Sequence, residues 1–399
     1  MRFYESETKK LLAKHGVAVP KSGVARTTAD AERLAGELGA PVVLKAQMLA
    51  YGKARSDTVR TAATPADAAK VAAELLALDD GGRKPAGVLV EQRPAATAEW
   101  SLAFTYDGTA KKPVMIGAAE PGNVEDIADR DPSKVVRRHF SALVPFSDYL
   151  AKEMVVALGA KSPDVPKMTA AVSRLAQLFL RYDLTQLDVF SLGRLDDGSF
   201  VAIDARSDME VEGRPRQKAV LADLGIAEDD RRLVREPTPF EIEAAKIDAE
   251  DPRGVAGPVV EFDGNIGLVI GAGGGSLTLT DAVRRVGGKP ANYAALGGNP
   301  SVRKAQRLAK LILSKPGVKQ IAVMSNVVSN TRADLVARGV IKGVIEAGLD
   351  PAKTIAIFRV PGAWEADAAK ILEKYGVEYC DRTVSISEAA KRAVEKIGR

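Results

Sequence analysis

Three short apolar runs in the last part of the chain constrain its fold more than any other feature. They cover residues 266–270, 321–324 and 354–358, and none of them alternates apolar with polar residues. Strands with this pattern are buried on both faces, as in a parallel sheet that is covered by helices. Helix-like segments separate the runs, so residues 258–399 are predicted to form a doubly wound parallel α/β sheet. Ligands of such sheets bind at the carboxyl ends of the strands.

A second folding unit is expected before this sheet, because 399 residues exceed a single ordinary core. Residues 1–230 combine helix patterns with apolar strands, several of which carry an acid or a lysine at one end. The predicted helices and strands of this α+β region cover residues 4–15, 28–39, 41–45, 65–78, 87–91, 114–116, 187–190 and 200–204. The charged, proline-containing residues 231–257 are predicted to form a linker between the two units.

Composition excludes several classes of partner. No apolar run reaches the roughly 20 residues that a membrane-spanning helix needs, and the acids near the N-terminus do not fit a secretion signal. One cysteine, Cys380, fits a reducing compartment, so a cytoplasmic location is expected. The net charge is +5, but aromatic residues make up only 5%, which leaves few stacking platforms for nucleic acid. We expect phosphorylated small molecules as ligands, and neither a membrane nor a nucleic-acid partner.

Two loops that follow strands of the predicted parallel sheet carry groups that bind anions. Residues 271–276 read Gly-Ala-Gly-Gly-Gly-Ser, and glycines without Cβ atoms let backbone N–H groups approach an anion. A tight structural turn is the alternative explanation of that loop. Residues 325–334 follow the next strand and place Ser329, Asn330 and Thr331 before a predicted helix. Those side chains either cap the helix or bind a carboxylate, and the sequence favours neither.

A lysine and a basic loop in the first region form a candidate polyphosphate site. Lys45 ends an apolar strand and is followed by Gly52, Lys53 and Arg55. A lysine that closes a strand and a short, glycine-containing basic loop both suit phosphate oxygens. A solvated run of charges is the alternative explanation of these residues.

Two acids on a predicted hairpin form a candidate magnesium site. Asp188 and Asp204 lie on apolar strands that are joined by the turn sequence Asp-Asp-Gly at 196–198. Carboxylates on adjacent strands commonly hold Mg²⁺ together with phosphate oxygens. The chain has only two histidines, His15 and His139, so a histidine-based metal site is not expected.

Six segments, spread over both regions, form a series of recognisable motifs. They are residues 4–20, 43–47 (Val-Leu-Lys-Ala-Gln), 88–91 (Val-Leu-Val-Glu) with Glu99, 120–125, 263–267 (Asp-Gly-Asn-Ile-Gly) and 287–293 (Gly-Gly-Lys-Pro-Ala-Asn-Tyr) with Gly297 and Gly298. In this order they resemble the succinyl-CoA synthetase β subunit family over nearly the whole chain. The resemblance implies an α/β protein with an ATP-grasp domain at 1–230 and a flavodoxin-like CoA-ligase domain at 258–399.

The resemblance also implies an ADP-forming acid–CoA ligase that uses ATP (or GTP) and Mg²⁺. It assigns the nucleotide to Lys45, Gly52, Lys53, Glu91 and Glu99, and Mg²⁺ to Asp188 and Asp204. In the family a histidine of the α-type subunit carries the phosphoryl group, and the same subunit holds CoA. An α-type partner is therefore expected to supply both. Two positions depart from the family, because Phe190 replaces an asparagine that helps to hold Mg²⁺ and the phosphate loop at 51–57 is reduced.

The substrate end of the second region resembles ATP-citrate lyase and citryl-CoA synthetase. Substrate contacts are expected from Gly273, Gly274, Gly275, Ser276, Ser329, Asn330, Thr331 and Arg359. The many donors in this set predict an acid more polar than succinate, such as a di- or tricarboxylate. Asp188, Asn330 and Arg332 are the expected catalytic residues, with a helix N-terminus near Asn330 aimed at the phosphohistidine. Two alternatives remain: a regulatory or structural subunit with a degenerate ATP site, and a self-contained ATP-grasp ligase that joins a carboxylate to an amine.

Overall fold

The computed structural model describes residues 1–49, 58–79, 84–228, 230, 232 and 237–398. The chain divides into two compact units, Met1–Arg235 and Glu236–Arg399. The boundary falls inside the segment 231–257 that was predicted to be a linker. None of the described helices is both long and apolar enough to cross a membrane.

The described strands of the first unit form two antiparallel sheets. These strands are β1 (Ser22–Ala25), β2 (Val42–Ala46), β3 (Val59–Ala62), β4 (Val88–Gln92), β5 (Ala98–Asp107), β6 (Lys112–Ala118), β7 (Val135–His139), β8 (Leu184–Arg194) and β9 (Phe200–Met209). The smaller sheet has the order β1–β4–β2–β3, and the larger sheet has the order β7–β6–β5–β8–β9. The predicted hairpin is present, since β8 pairs with β9 and the amide of Leu195 donates to the carbonyl of Ser199 at 2.8 Å.

The helices of the first unit cover both sheets. They are α1 (Glu5–Lys14), α2 (Thr28–Leu38), α3 (Pro65–Leu76), α4 (Val124–Arg130), α5 (Asp148–Ala157), α6 (Val165–Arg181) and α7 (Lys218–Asp223), with 3₁₀ turns at Pro132–Lys134 and Val211–Arg216. The small sheet shares a core with α2 and α3, and the large sheet shares one with α1, α5 and α6. Helix α2 begins at Thr28, and the residue before it, Thr27, caps it by accepting from the amide of Asp30.

The second unit is a doubly wound α/β domain, as predicted. Its described strands are β10 (Val255–Glu261), β11 (Ile266–Gly271), β12 (Asn292–Gly297), β13 (Gln320–Met324) and β14 (Ile355–Arg359). Its described helices are α8 (Pro239–Ala249), α9 (Gly275–Arg285), α10 (Val302–Leu313), α11 (Ala333–Glu346), α12 (Pro351–Thr354), α13 (Glu365–Lys374) and α14 (Ile386–Ile397). The sheet order is β10–β12–β11–β13–β14, in which only the edge strand β10 runs antiparallel to its neighbour. Helices α9 and α14 pack on one face, and α10, α11 and α13 pack on the other.

The predicted linker 231–257 needs correction, because most of its described residues belong to the second unit. Helix α8 and the start of β10 lie within it. The carboxylate of Asp248 on α8 accepts from the amide of Ala256 at 2.7 Å and from the Nζ of Lys304 at 2.8 Å. Lys304 is buried in the domain. A buried ammonium group needs such a partner, and Asp248 of the charged segment supplies it.

Candidate active site

Two lysines and two glutamates form a buried charge network where the small sheet meets the large one. The Nζ of Lys45, on β2, lies 2.7 Å from the Oε1 of Glu5 and 2.7 Å from the Oε1 of Glu91. The Nζ of Lys9, on α1, reaches the same acids at 2.8 Å and 2.5 Å. Both ammonium groups also donate to the carbonyl of Ile203 on β9, at 3.1 Å and 2.7 Å. The network thus ties helix α1, the small sheet and the large sheet together.

Burial and charge act against each other in this network. Burial alone would lower the pKa of Lys45, but the carboxylates of Glu5, Asp204 and Glu91 outweigh it and raise the pKa above its usual range. Burial alone would raise the pKa of Glu5, but Lys45 and Lys9 outweigh it and lower the pKa to about 2. Lys45 and Glu5 are therefore both charged at neutral pH. The two ammonium groups and the two carboxylates of the network balance each other, so Lys45 can contact an anion only by exchanging one of its present partners.

The hairpin β8–β9 brings the two predicted metal-binding acids to one face of the large sheet. Asp188 lies opposite Arg206, and Ser191 lies opposite Asp204. Asp204 and Arg206 are two positions apart on one strand, so their side chains point to the same side. Asp204 is close enough to Lys45 to raise the pKa of its ammonium group. The hairpin face is thereby continuous with the lysine network.

Asp188 is already engaged by neighbouring side chains. Its Oδ2 accepts from the Nη2 of Arg206 at 2.6 Å and from the Nε of the same residue at 3.1 Å. Gln186 donates to both carboxylate oxygens, at 2.9 Å and 3.2 Å. The guanidinium of Arg206 also stacks on the ring of Phe190, 5.3 Å from its centroid. Burial raises the pKa of the Asp188 carboxyl, although Arg206 opposes the shift.

Glu99, predicted to bind nucleotide, lies beside a cavity in the first unit. Its Oε2 accepts from the hydroxyl of Ser191 at 2.6 Å. The cavity has a volume of about 450 Å³, and Trp100, Glu120 and Leu158 are among its other lining residues. A cavity of this size is in the range that holds small ligands.

Two of the other residues predicted for the nucleotide site are not described by the structure, and a third is paired with lysines. Gly52 and Lys53 lie outside the described residues. The carboxylate of Glu91 faces two lysines rather than open solvent. In the part of the chain that the structure describes, no three His, Cys, Asp or Glu side chains are grouped as a metal site.

In the second unit, the two predicted anion loops lie side by side at the carboxyl edge of the sheet. Ile270 pairs with Met324 on the adjacent parallel strand, so the loops leave the sheet together. A Cβ on Gly275 would lie 1.9 Å from the Nδ2 of Asn326, so the absence of a side chain at Gly275 lets the Asn326 amide lie against the first loop. Gly273 has a φ of +91°, and open space surrounds it and Gly274. The two loops are thus in contact at one end and open at the other.

The hydroxyl groups of these loops serve the fold as well as any ligand. Ser276 is buried, and its hydroxyl lies 2.5 Å from both the carbonyl of Gly273 and the hydroxyl of Tyr293. The hydroxyl oxygen of Thr331 accepts from the amide of Asn299 at 3.2 Å. Ser329 and Asn330, in contrast, are exposed.

The helix that was predicted to start near Asn330 begins at Ala333. Its N-cap is Arg332, whose guanidinium donates to both carboxylate oxygens of Asp334 at 3.0 Å and 2.8 Å. The same guanidinium lies 3.8 Å from the ring centroid of Trp364. The residues before Arg332 form a loop because the Thr331 side chain is committed to the neighbouring loop instead of capping the helix. Arg332 is therefore held in place by a carboxylate and an aromatic ring.

Arg359 ends strand β14 and is only 5% exposed. Its Nη1 donates to the carbonyl of Ser325 at 2.5 Å, and its Nε donates to the carbonyl of Val384 at 2.7 Å. No carboxylate lies within ion-pair distance of its guanidinium in the described ranges. Burial lowers the pKa of this group although neighbouring acids oppose the shift. A buried guanidinium without an acid is a favourable neighbour for an incoming carboxylate.

Comparisons with known proteins assign the class of the two units. The ATP-grasp domain family matches residues 2–193. The chain is 31% identical over 397 residues to the ADP-forming succinate–CoA ligase subunit β of Methanothermobacter thermautotrophicus, and the match covers 99% of each chain. It is 29% identical to the subunit of the same name from Myxococcus xanthus, with 100% of each chain covered. The structure of ATP citrate lyase from Methanothrix soehngenii in complex with citrate and coenzyme A has the same fold, with a TM-score of 0.67, 17% identity and 99% of each chain covered.

The chain belongs to the family of ADP-forming succinate–CoA ligase β subunits. The resemblance and the fold class predicted from the sequence are thereby confirmed. The chain is a β-type subunit of an ADP-forming CoA ligase. Ligases of this type use ATP or GTP and Mg²⁺.

Sequence reasoning missed three residues of the site, namely Glu5, Lys9 and Arg206. Glu5 and Lys9 are four positions apart on α1, a spacing that places them on one helix face. Arg206 follows Asp204 on the same face of a strand. Both spacings were visible in the sequence, but only the fold shows which residues lie opposite them.

Proposed function

We propose that this chain supplies the nucleotide site of an acid–CoA ligase whose substrate is a polar di- or tricarboxylic acid. In this proposal ATP phosphorylates a histidine of an α-type partner, and the phosphoryl group then activates the acid for attack by CoA. The buried network around Lys45 is the observation that carries it, because it holds a charged ammonium group beside an acid-bearing hairpin. Neither His15 nor His139 belongs to that network, which supports a partner as the source of the histidine.

Lys45 is proposed to bind the nucleotide phosphates. It shares Glu5 and Glu91 with Lys9. When Lys45 turns toward a phosphate, both carboxylates therefore keep an ion pair with Lys9. Leaving a buried carboxylate unpaired costs several kcal/mol, and the second lysine avoids that cost. Glu99, at the rim of the cavity, is proposed to contact the nucleoside. Glu91, Gly52 and Lys53 remain predicted members of the site.

Asp204 is proposed as the protein ligand of the Mg²⁺ that accompanies the nucleotide. Protein-bound Mg²⁺ is usually held by one or two carboxylates and by substrate phosphates. Asp204 fits this donor set, since it lies next to Lys45 on the hairpin face. When bound, the ion supplies charge neutralisation for phosphoryl transfer. Asp188 serves as a second ligand only if it exchanges Arg206 for the ion, because Arg206 holds one of its oxygens.

The acid is proposed to bind at the carboxyl edge of the second unit. Arg359 contributes a buried positive charge, and Gly273 and Gly274 are exposed and have no Cβ atoms to keep an anion away from the backbone. Ser329 and Asn330 are exposed on the adjoining loop and are available as donors. Ser276 and Thr331 add hydroxyl groups that also serve the fold. A guanidinium with several neutral donors suits an acid that has more than one polar group.

Arg332 and the N-terminus of α11 are proposed to stabilise charge during transfer to the acid. The helix begins at Ala333, so its first N–H groups add positive potential at this edge. Asp334 fixes the direction of the Arg332 guanidinium. Asn330, three residues before the helix, is the proposed neutral donor.

The proposal is tested by co-expressing this chain with its genomic neighbour and assaying the purified complex with Mg·ATP, CoA and a panel of acids. ADP and a CoA thioester are expected in equal amounts with at least one di- or tricarboxylate. A complex that forms but binds no Mg·ATP in calorimetry would establish the regulatory alternative. Product formed by this chain alone, with an amine in place of CoA, would establish the self-contained ligase.

A further inference from the structure

We infer that Arg206 is a phosphate-binding residue and that Asp188 orients it. The inference rests on the proposed nucleotide site and adds a residue to it. Arg206 lies on β9, two positions after Asp204, and points to the same face of the sheet. Between them the two side chains offer an acid for a metal ion and a cation for the phosphate oxygens.

The guanidinium of Arg206 is held from two sides. Asp188 accepts from its Nη2 at 2.6 Å and from its Nε at 3.1 Å. The ring of Phe190 lies 5.3 Å from the central carbon of the group. An acid at one edge and an aromatic ring on one face fix the plane of the guanidinium. Asp188 is itself fixed, because Gln186 donates to both of its oxygens.

One edge of the guanidinium remains available to a ligand. Within the described ranges, no hydrogen bond or ion pair involves the Nη1 of Arg206, whereas Nε and Nη2 are used by Asp188. The side chain is 25% exposed, so a ligand can reach it. An arginine that is clamped by a carboxylate on one edge is pre-organised to bind phosphate oxygens with its other edge.

The position favours the outer phosphates of the nucleotide. The carbonyl of Ile203, three residues before Arg206, accepts a hydrogen bond from Lys45. Lys45 thus contacts β9 at Ile203, and Asp204 and Arg206 follow on the same strand. A row of phosphates bound along this strand would have a positively charged side chain at each end. The pair Phe190 and Arg206 thus has a function in this chain: the ring supports the guanidinium that binds phosphate.

The test compares nucleotide affinities of the α–β complex and uses a closely matched control. Arg194, also on the hairpin, forms the same kind of ion pair with Asp164 at 2.8 Å, and its side chain is 27% exposed. Dissociation constants of ATP, ADP and AMP are measured by calorimetry for the wild type, R206Q, R206K and R194Q. A charged hydrogen bond contributes about 10- to 100-fold in affinity. The affinity of R206Q for ATP and ADP is expected to fall by about that factor, and its affinity for AMP by less than about threefold. R194Q is expected to show no selective loss of affinity for ATP and ADP.

The variant R206K distinguishes a loss of phosphate contacts from damage to the fold. It keeps the charge but loses the two-edged fork, so its affinity for ATP is expected to lie between those of the wild type and R206Q. If the affinity of R206Q for ATP is within twofold of that of the wild type, the inference about Arg206 is wrong, while the proposed function stands. So would an equal loss for ATP, ADP and AMP, because that pattern indicates a damaged fold. Absence of nucleotide binding by the wild-type complex would overturn the proposed function and this inference with it.

Discussion

The Nζ of Lys45 lies 2.7 Å from the Oε1 of Glu91, and this contact joins two neighbouring strands of the small sheet. Val43 is the residue directly opposite Glu91, so Lys45 reaches the acid diagonally. The same ammonium group donates to the carbonyl of Ile203 in the large sheet. A cation that is fixed between the two sheets is the central element of the proposed nucleotide site.

Lys45→Met is expected to weaken Mg·ATP binding by at least about tenfold, because a charged contact to phosphate is lost while Lys9 still pairs the two acids. Calorimetric titration of the purified complex measures the change. Lys70→Met is the matched control, since Lys70 is an exposed lysine of the same unit. An unchanged affinity in Lys45→Met would place the nucleotide elsewhere.

Asp204→Asn is expected to raise the Mg²⁺ concentration needed for half-maximal ATP binding by about tenfold or more, since a neutral amide is a weaker ligand than a carboxylate. Titration with Mn²⁺ in the presence of ATP, followed by electron paramagnetic resonance, measures metal binding directly. Asp197→Asn is the control, because Asp197 lies in the turn of the same hairpin and binds Ser199. Equal metal affinities in both variants would exclude Asp204 as the ligand.

Arg359→Lys is expected to raise the KM for the acid about tenfold or more and to leave the affinity for ATP unchanged. A lysine keeps the charge but cannot bind two backbone carbonyls and a carboxylate in one plane. Steady-state kinetics of thioester formation provide the KM. Arg382→Lys serves as the control, because Arg382 is exposed and pairs with Glu365. A parallel loss of ATP affinity would assign Arg359 to the fold rather than to the substrate.

Glu5→Gln is expected to lower the free energy of unfolding at pH 7 by about 3 kcal/mol, the free energy that corresponds to the change in the pKa of Glu5 on folding. The pKa of Glu5 falls from 4.5 to about 2 on folding, so its ionised form stabilises the folded state above pH 4.5. That stabilisation is lost as the pH falls toward 2. Urea unfolding at pH 7, 4 and 3 measures the free energy of unfolding of both proteins. The difference between the wild type and Glu5→Gln is expected to become smaller as the pH falls. Glu37→Gln, which removes an exposed pair with Arg33, should show no such trend.

The sequence was sufficient to predict a parallel sheet in the second unit and three of its strands, β11, β13 and β14, because those three are apolar runs. Strand β12 was missed because its residues, Asn-Tyr-Ala-Ala-Leu-Gly, lack the usual β-branched side chains. Edge strand β10 was missed because only one of its residues is fully buried. Helix α8 was missed because it lies in a charged segment, and its contact with Lys304, 56 positions from Asp248, is not visible in the sequence.

The site was predictable only where a motif marked it. Lys45 and Asp204 stand in such motifs, whereas Lys9 acquires its role through Glu91, which is 82 positions away in sequence. Arg206 acquires its role through the cross-strand partner Asp188. The start of α11 could not be predicted from Ser329, Asn330 and Thr331, because all three resemble helix caps and only the contact with Asn299 distinguishes them.

In the proposed function, this chain provides the ATP site from which a partner subunit is phosphorylated. The most direct test incubates the α–β complex with Mg²⁺ and ATP labelled at the γ-phosphate, without acid or CoA, and follows acid-labile label on each subunit. Label is expected on the α-type subunit with the wild-type chain, little with Lys45→Met, and none when this chain is omitted. Label that appears without this chain, or no label with the wild-type complex, would overturn the proposed function.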